Sequence, residues 1–348
     1  MKKHMFLLAS HFLLLAACAA PAATAAPSEV PVQSTPEQSP SSSPIITGEN
    51  AVHLTPVAEL KPSNGALTCS WAQEGKALWL QDIFSVNLVD AATLDQIAMF
   101  EGGEYSAIYD ASSDGRLVAY SFDGVEIKIL DIISQKDILT ITPGFPYSIA
   151  FFSPGDKLLA VTSLENIEIV LFNLKDGTRA SQLSGFTTAA PVYSASFGPD
   201  GDTLIWESRG TIQPMTIGSG ELGPELSHED FVVAVAGSPD GGSIATASAG
   251  TMNGNFQPLV TLWDSASGDV IWQQGNAEYF SSLDFSPDGL LLSAGTVGEV
   301  VIYDAVSGDE IIRLPFKNGA VNSLAFSPIG DTLLTCEVNG NVALWKLE

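Results

Sequence analysis

LDFSPDGLLLSAG, at residues 283–295, sets an apolar run, a Ser-Pro-Asp-Gly turn and a second apolar run in close succession. Proline presets φ for the turn and glycine accepts the positive φ that closes it, so the stretch reads as two short strands joined by a tight loop. Copies recur as LAFSPIGDTLLTC (324–336), ASFGPDGDTLIWE (195–207) and AFFSPGDKLLAVT (150–162). Weaker copies fall into register from Val235, Tyr109 and Cys69. The anchor residues Trp71, Ala111, Phe152, Phe197, Gly237, Phe285 and Phe326 lie 40, 41, 45, 40, 48 and 41 positions apart. A fixed period of this length marks an array of seven similar units.

Each unit continues in the same order. A third strand ends in an aromatic or aliphatic residue followed by a polar one: Leu130-Asp131, Phe172-Asn173, Trp263-Asp264, Tyr303-Asp304 and Trp345-Lys346. In several units a Gly-containing turn follows, and a fourth strand leads back to the next unit. No stretch holds a helical period for long, so the chain is read as all-β.

These repeats resemble the WD-repeat β-propeller family, whose units of about 40 residues each form a four-stranded blade. The resemblance spans residues 49–348 and implies a seven-bladed propeller. The last unit stops after its third strand, while ENAVHLTPVAEL (49–60) looks like a fourth strand and is expected to close the ring. Closure would remove the exposed edges of an open array. The family's buried His, Ser/Thr, Asp, Trp network has one matching His, His228, with Thr246 or Ser248 and Trp263 placed to complete part of it. His228 and Trp263 are therefore read as structural. The turn Asp of that network is absent from this unit, and Asp123 in the second unit is the best match elsewhere. Pro214, where a third strand is expected, implies a locally broken ladder.

Ahead of the repeats stands MKKHMFLLASHFLLLAAC (1–18). Two lysines, an apolar stretch too short to span a bilayer permanently, and Leu15-Ala16-Ala17 before Cys18 resemble a bacterial lipoprotein signal peptide. That resemblance implies cleavage of residues 1–17, lipidation of Cys18 and an extracytoplasmic chain held on the cell membrane or outer membrane by its lipid alone. Residues 18–48, rich in Pro, Ala and Ser with few large apolar side chains, read as a disordered tether.

The formal charge of −26 becomes −28 once Lys2 and Lys3 are removed. So negative a chain argues against nucleic acid as a partner. His4 and His11 lie in the signal, leaving His53 and His228, too little for a His-based metal site or a catalytic triad. The repeated turn carboxylates Asp114, Asp200, Asp240 and Asp288 are explained by backbone capping. No metal, cofactor or catalytic residue is assigned. Cys69 and Cys336 fall on the first and last units, neighbours in a closed ring. Two readings stay open for them: a pair of buried free thiols, taken first, and a disulfide, which the compartment permits.

If strands run as in the family, one face collects the loops entering each first strand and the turns between second and third strands. It brings together Tyr105, Phe145, Tyr147, Phe186, Tyr193, Phe231, Tyr279 and Phe280, and the added loop SAGTMNGNFQP (248–258) of the fifth unit. Asn253, Asn255, Phe256, Tyr279 and Phe280 are the partner-binding candidates, since rings interleaved with amides suit a protein or glycan. The chain is read as a monomeric, non-enzymatic binding or scaffold module. Two alternatives stand beside this: a carboxylate-metal hydrolase or lactonase working in the central channel, and a structural subunit of an envelope assembly complex.

Overall fold

Short apolar runs cut by Gly and Pro turns give strands almost throughout. The computed structural model describes residues 43–62, 68–103, 106–164, 168–184, 194–208, 210–228, 231–249, 251–252, 255–276 and 278–347. Cys18 and the residues before Ser43 lie outside this set.

Five four-stranded antiparallel blades follow one another in the chain. The first runs from Thr68–Ala72 to Gln96–Glu101, the second from Ala107–Ala111 to Lys136–Ile141 and the third from Tyr147–Phe152 to Arg179–Leu183. The fourth runs from Ser194–Phe197 to Leu226–Ser227 and the fifth from Val232–Gly237 to Val270–Gly275. The remaining strands form one six-stranded sheet in the order Leu54–Leu60, Val342–Leu347, Leu333–Glu337, Glu310–Phe326, Leu291–Asp304, Phe280–Phe285.

The expectation of seven four-stranded blades is thereby corrected: there are five, with the last two sequence units run together. The cause is local. Leu291–Asp304 runs without a break through Val297 and Gly298 (φ 88°), and Glu310–Phe326 passes from one unit to the next without a break. Pairing of Val297 with Ala320 ties these two long strands together across the unit boundary. Leu291–Asp304 still turns back on itself, because the Ala305 N–H donates to the Leu290 carbonyl at 2.9 Å, as Ile132 does to Arg116 in the second blade.

Rings on the inner strands fill the spaces between neighbouring units. Phe152 packs on Tyr109, Ala119 and Ile127, Phe197 on Phe151 and Ala160, and Phe285 on Ala236, Ala245 and Leu262. Burial of each ring is worth about 1.5–3 kcal/mol. Carboxylates add inter-unit hydrogen bonds: Asp110 Oδ2 accepts from the Phe152 N–H at 2.8 Å and Asp284 Oδ2 from the Phe326 N–H at 2.7 Å.

The two chain ends meet as the repeats imply. Leu54–Leu60 pairs antiparallel with Val342–Leu347, from Leu54 opposite Leu347 to Leu60 opposite Val342. The first blade then docks on the six-stranded sheet, with the Cys69 N–H on Ser323 Oγ at 2.8 Å and Trp71 Nε1 on the Ala325 carbonyl at 3.0 Å. Here Cys69 and Cys336 are joined, with Cα atoms 6.0 Å apart, so of the two readings the disulfide is the one the structure contains. The fourth blade carries the expected defect. Pro214 pairs with Ile205 on one side, but the outer strand shrinks to Leu226–Ser227 because proline has no N–H to offer.

In the fifth blade the family's network takes shape. His228 Nε2 and Thr246 Oγ1 lie 2.9 Å apart, Trp263 Nε1 donates to the same hydroxyl at 2.8 Å, and the His and Trp rings meet edge to face at 5.2 Å. Burial pushes the His228 pKa down to about 4, so the ring is neutral at physiological pH. His228→Ala is expected to destabilise by about 1 kcal/mol, the usual net value of one such hydrogen bond, and urea unfolding will measure it. A loss beyond about 3 kcal/mol would assign the ring a larger role than this bond.

Candidate partner-binding face

Backbone hydrogen bonds show which loops share a face. The entry loops and the turns between second and third strands are tied together by Gly102 N–H to Phe84 O (2.8 Å), Leu164 N–H to Pro146 O (2.9 Å), Ala249 N–H to Phe231 O (3.0 Å) and Val338 N–H to Ala320 O (2.9 Å). The Ser-Pro-Asp-Gly turns lie at the opposite ends of the strands. The loop face thus draws on the five blades and on the six-stranded sheet.

Ile83, Phe84, Phe122, Val125, Leu164, Phe231, Tyr279, Val297 and Val338 all stand on this face with 47% or more of their surface exposed. Their exposure is built into the turns. Asp82 Oδ1 accepts from the Phe84 and Ser85 N–H groups at 2.7 and 2.6 Å, and Asp123 Oδ1 from Val125 and Glu126 at 2.9 and 3.1 Å. Each carboxylate fixes its turn and leaves the apolar side chains facing outward. These backbone bonds also hold the Asp123 carboxyl below the usual range, so it is ionised at neutral pH. Glu337 holds Asn339 Nδ2 at 2.9 Å in the last such turn. The result is a rigid apolar ring interleaved with negative charge, which can bind without much loss of loop entropy.

The sequence candidates divide. Tyr279 is 53% exposed and Phe231 is 76% exposed, as a binding role requires. Phe280 is 3% exposed and packs with Leu283 and Phe285, so it is removed from the partner-binding set. It opens the inner strand opposite Thr296, and strand alternation turns it inward while Tyr279 stays out. Tyr147 is likewise buried. Thr251–Met252 and Asn255–Phe256 pair as a small hairpin on the link between the second and third strands of the fifth blade, which places the added loop on this face. Asn253, Tyr105, Phe186 and Tyr193 lie outside the described residues. Ile83, Phe84, Phe122, Val125, Leu164, Val297 and Val338 were missed by sequence reasoning. Their signal was an apolar residue within or beside each second turn, which reads in sequence as the end of a strand.

Among the described residues no group of three or more His, Cys, Asp or Glu side chains converges as a metal site would.

The WD domain, G-beta repeat family matches residues 308–346. WD repeat-containing protein SL1-17 of Schistosoma mansoni is 28% identical over 208 residues, 59% of this chain and 64% of that protein, so the chain spans less than two thirds of its length. The guanine nucleotide-binding protein subunit beta of Saccharomyces cerevisiae is 27% identical over 347 residues, covering 86% of this chain and 81% of that one. The solved β-propeller domain of Myceliophteria thermophila Cps50 (Swd1) superposes with a TM-score of 0.68 at 13% identity, over 85% of this chain and all of that domain, a likeness of fold. The chain folds as a β-propeller, and its residues 308–346 match the WD40 repeat. Propellers of this class typically serve as protein-interaction modules.

Proposed function

We propose that this chain is a lipid-anchored, extracytoplasmic scaffold that holds a protein partner on its loop face. The observation that carries the reading is the ring of exposed apolar side chains on capped turns. Isolated exposed apolar residues need no explanation, but a set gathered on one face marks an interaction surface. Carboxylates between them, Asp82, Asp123 and Glu126 among others, favour a partner whose contact surface is apolar with basic residues at its edge. The Leu-Ala-Ala-Cys18 pattern and the Cys69–Cys336 bond support placement outside the cytoplasm, where disulfides persist.

Photoreactive residues at Phe84 and Tyr279 in the full chain, expressed in a bacterial host, are expected to give one specific protein adduct. The same group at Ile329, on the opposite face, is expected to give none. The Phe84→Asp, Phe122→Asp double variant should reduce adduct formation at Tyr279 at least tenfold with its melting temperature nearly unchanged, because both side chains are exposed. Equal crosslinking from both faces, or no adduct from the loop face, would overturn the reading. Anchoring is checked separately by mass spectrometry of the peptide carrying Cys18: an unmodified cysteine there removes the lipid from the proposal and leaves the face in place.

A further inference from the structure

Among the described residues, every junction between consecutive units except one has a ring at or beside the anchor position of the inner strand. Trp71, Phe152, Phe197, Phe285 and Phe326 supply it from the inner strand of their own unit. The second unit has Ala111 at this position, and Trp79 of the first unit compensates. Trp79 is 2% exposed and its Nε1 donates to the Ser112 carbonyl at 2.7 Å. The fifth unit has Gly237. In the fourth unit the residue in register with Trp79 is Ile205, since Trp71 pairs with Leu78 just before Trp79 as Phe197 pairs with Leu204 just before Ile205. Neither of these two positions carries a ring; the ring at this junction, Trp263, comes instead from the fifth unit's third strand.

At Gly237 the two units approach closely, and a side chain there would meet the residues that wall the notch beside it. A Cβ added to Gly237 would lie 3.3 Å from Pro199 Cδ and 3.4 Å from Ile205 Cδ1. Beside it lies a half-open notch of about 180 Å³ between the fourth and fifth blades, with Pro199, Ile205, Met215 and Ile244 among the apolar parts of its walls and as much polar lining, Thr203 and Ser243 included. A space of this order takes one aromatic ring. Walls facing an unfilled gap forgo dispersion contacts that an inserted ring restores. Around the mouth the chemistry is acidic. Asp200 lies in the lining and is exposed, Asp240 stands on the matching turn of the fifth unit, and no Lys or Arg is among the lining residues. Hydrogen bonds hold both carboxylates in place, Asp200 to Thr203 and Asp240 to Ser238 and the Gly242 N–H. The turns that form the mouth lie at the end of the strands opposite the loop face, so this is a separate surface.

We infer that the notch between the fourth and fifth blades is a binding site for one aromatic side chain presented on a basic peptide segment. The test is methyl NMR on the full chain, labelled at Ile and Met, titrated with three capped tripeptides: Lys-Phe-Lys, Ser-Phe-Ser and Lys-Ala-Lys. Lys-Phe-Lys is expected to shift the Ile205, Met215 and Ile244 methyl signals saturably. Lys-Ala-Lys should leave them unmoved, and Ser-Phe-Ser should bind at least fivefold more weakly. Gly237→Phe fills the notch from the fifth unit, and Ile205→Trp copies the solution of the first junction. Either one should weaken Lys-Phe-Lys at least tenfold, and the second serves if the first fails to fold. Ile329→Ser should leave this binding unchanged. Shifts from Lys-Phe-Lys no larger than those from Lys-Ala-Lys, or retained in a folded notch-filled variant, would overturn the site. Equal affinity for Ser-Phe-Ser would overturn the basic requirement.

Discussion

A Cys69→Ser, Cys336→Ser double variant is expected to lose about 4–5 kcal/mol of stability. The two cysteines lie 267 positions apart, and the chain-entropy account of cross-links gives roughly 5 kcal/mol for a loop of that length. Both are almost completely buried, at 2% and 0% exposure. A reductant should therefore act slowly on the native protein and fully once it unfolds. Denaturant titrations of the oxidised protein, the reduced protein and the double variant separate these cases: the last two should coincide, well below the first. Without the bond, the first blade still has the Ser323 and Ala325 hydrogen bonds and its apolar contacts, so the ring is weakened and not abolished. An unchanged unfolding midpoint in the double variant would show that the bond constrains nothing in the unfolded chain that the native state benefits from.

The second large effect is a pH dependence centred on Asp284. This side chain is 4% exposed, and burial pushes its pKa up to about 8 although the Phe326 and Phe285 N–H groups favour the ionised form. Between about pH 4 and pH 8 the folded state holds a proton that the unfolded state has released. Stability from this group is thus fully present below the unfolded pKa near 4 and is lost as pH rises toward 8, by up to about 1.4 kcal/mol per pH unit. Relief of charge repulsion on acidification acts in the same direction in so acidic a chain, so the variant must be compared with the parent. Asp284→Asn keeps an acceptor for Phe326 and resembles the protonated carboxyl in carrying a donor on the other atom. Its melting temperature should match the parent near pH 5 and exceed it by several degrees near pH 7.5, corresponding to about 3 kcal/mol. Parallel profiles for the two proteins would mean that the buried carboxyl does not titrate differently in the two states. Asp284→Ala should be the less stable replacement at every pH, because it leaves the Phe326 N–H buried without a partner.

The repeat turns made most of the architecture readable in advance. Ser-Pro-Asp-Gly copies located the strand pairs, and the likeness of residues 49–60 to a fourth strand located the closing pair. What they could not settle was where one sheet ends. In Leu291–Asp304 and Glu310–Phe326 the boundary depends on whether hydrogen bonds continue past Gly298 and Gly319, which composition does not encode. The loop face was legible as a surface but only partly as a residue set. Tyr279 and Phe280 are neighbours of similar chemistry, yet alternation at a strand start sends one into water and the other into the core. Phe84 and Phe122 were overlooked because an apolar residue beside a turn looks like strand until the capping carboxylate before it is seen. The notch is legible only by difference: Gly237 is unremarked in its own unit and becomes conspicuous when Trp79 shows what an equivalent gap elsewhere contains.

The antiparallel seam between Leu54–Leu60 and Val342–Leu347 has a mechanical consequence. The Ile46 N–H donates to the Gly330 carbonyl at 2.8 Å, so the chain enters the seam from the end that carries the inner turns, and Ile46, buried and bonded there, takes up tension from the N-terminal side before Leu54 does. A pull from that side runs along the strand axis and loads the rungs of the ladder together, in shear, where a pull across the strands would open them one at a time. The same geometry turns the apolar ring away from the direction of pull. A tether upstream of Ser43 would therefore be made fast to the far side of the molecule and would leave the loop face free to meet a partner head-on.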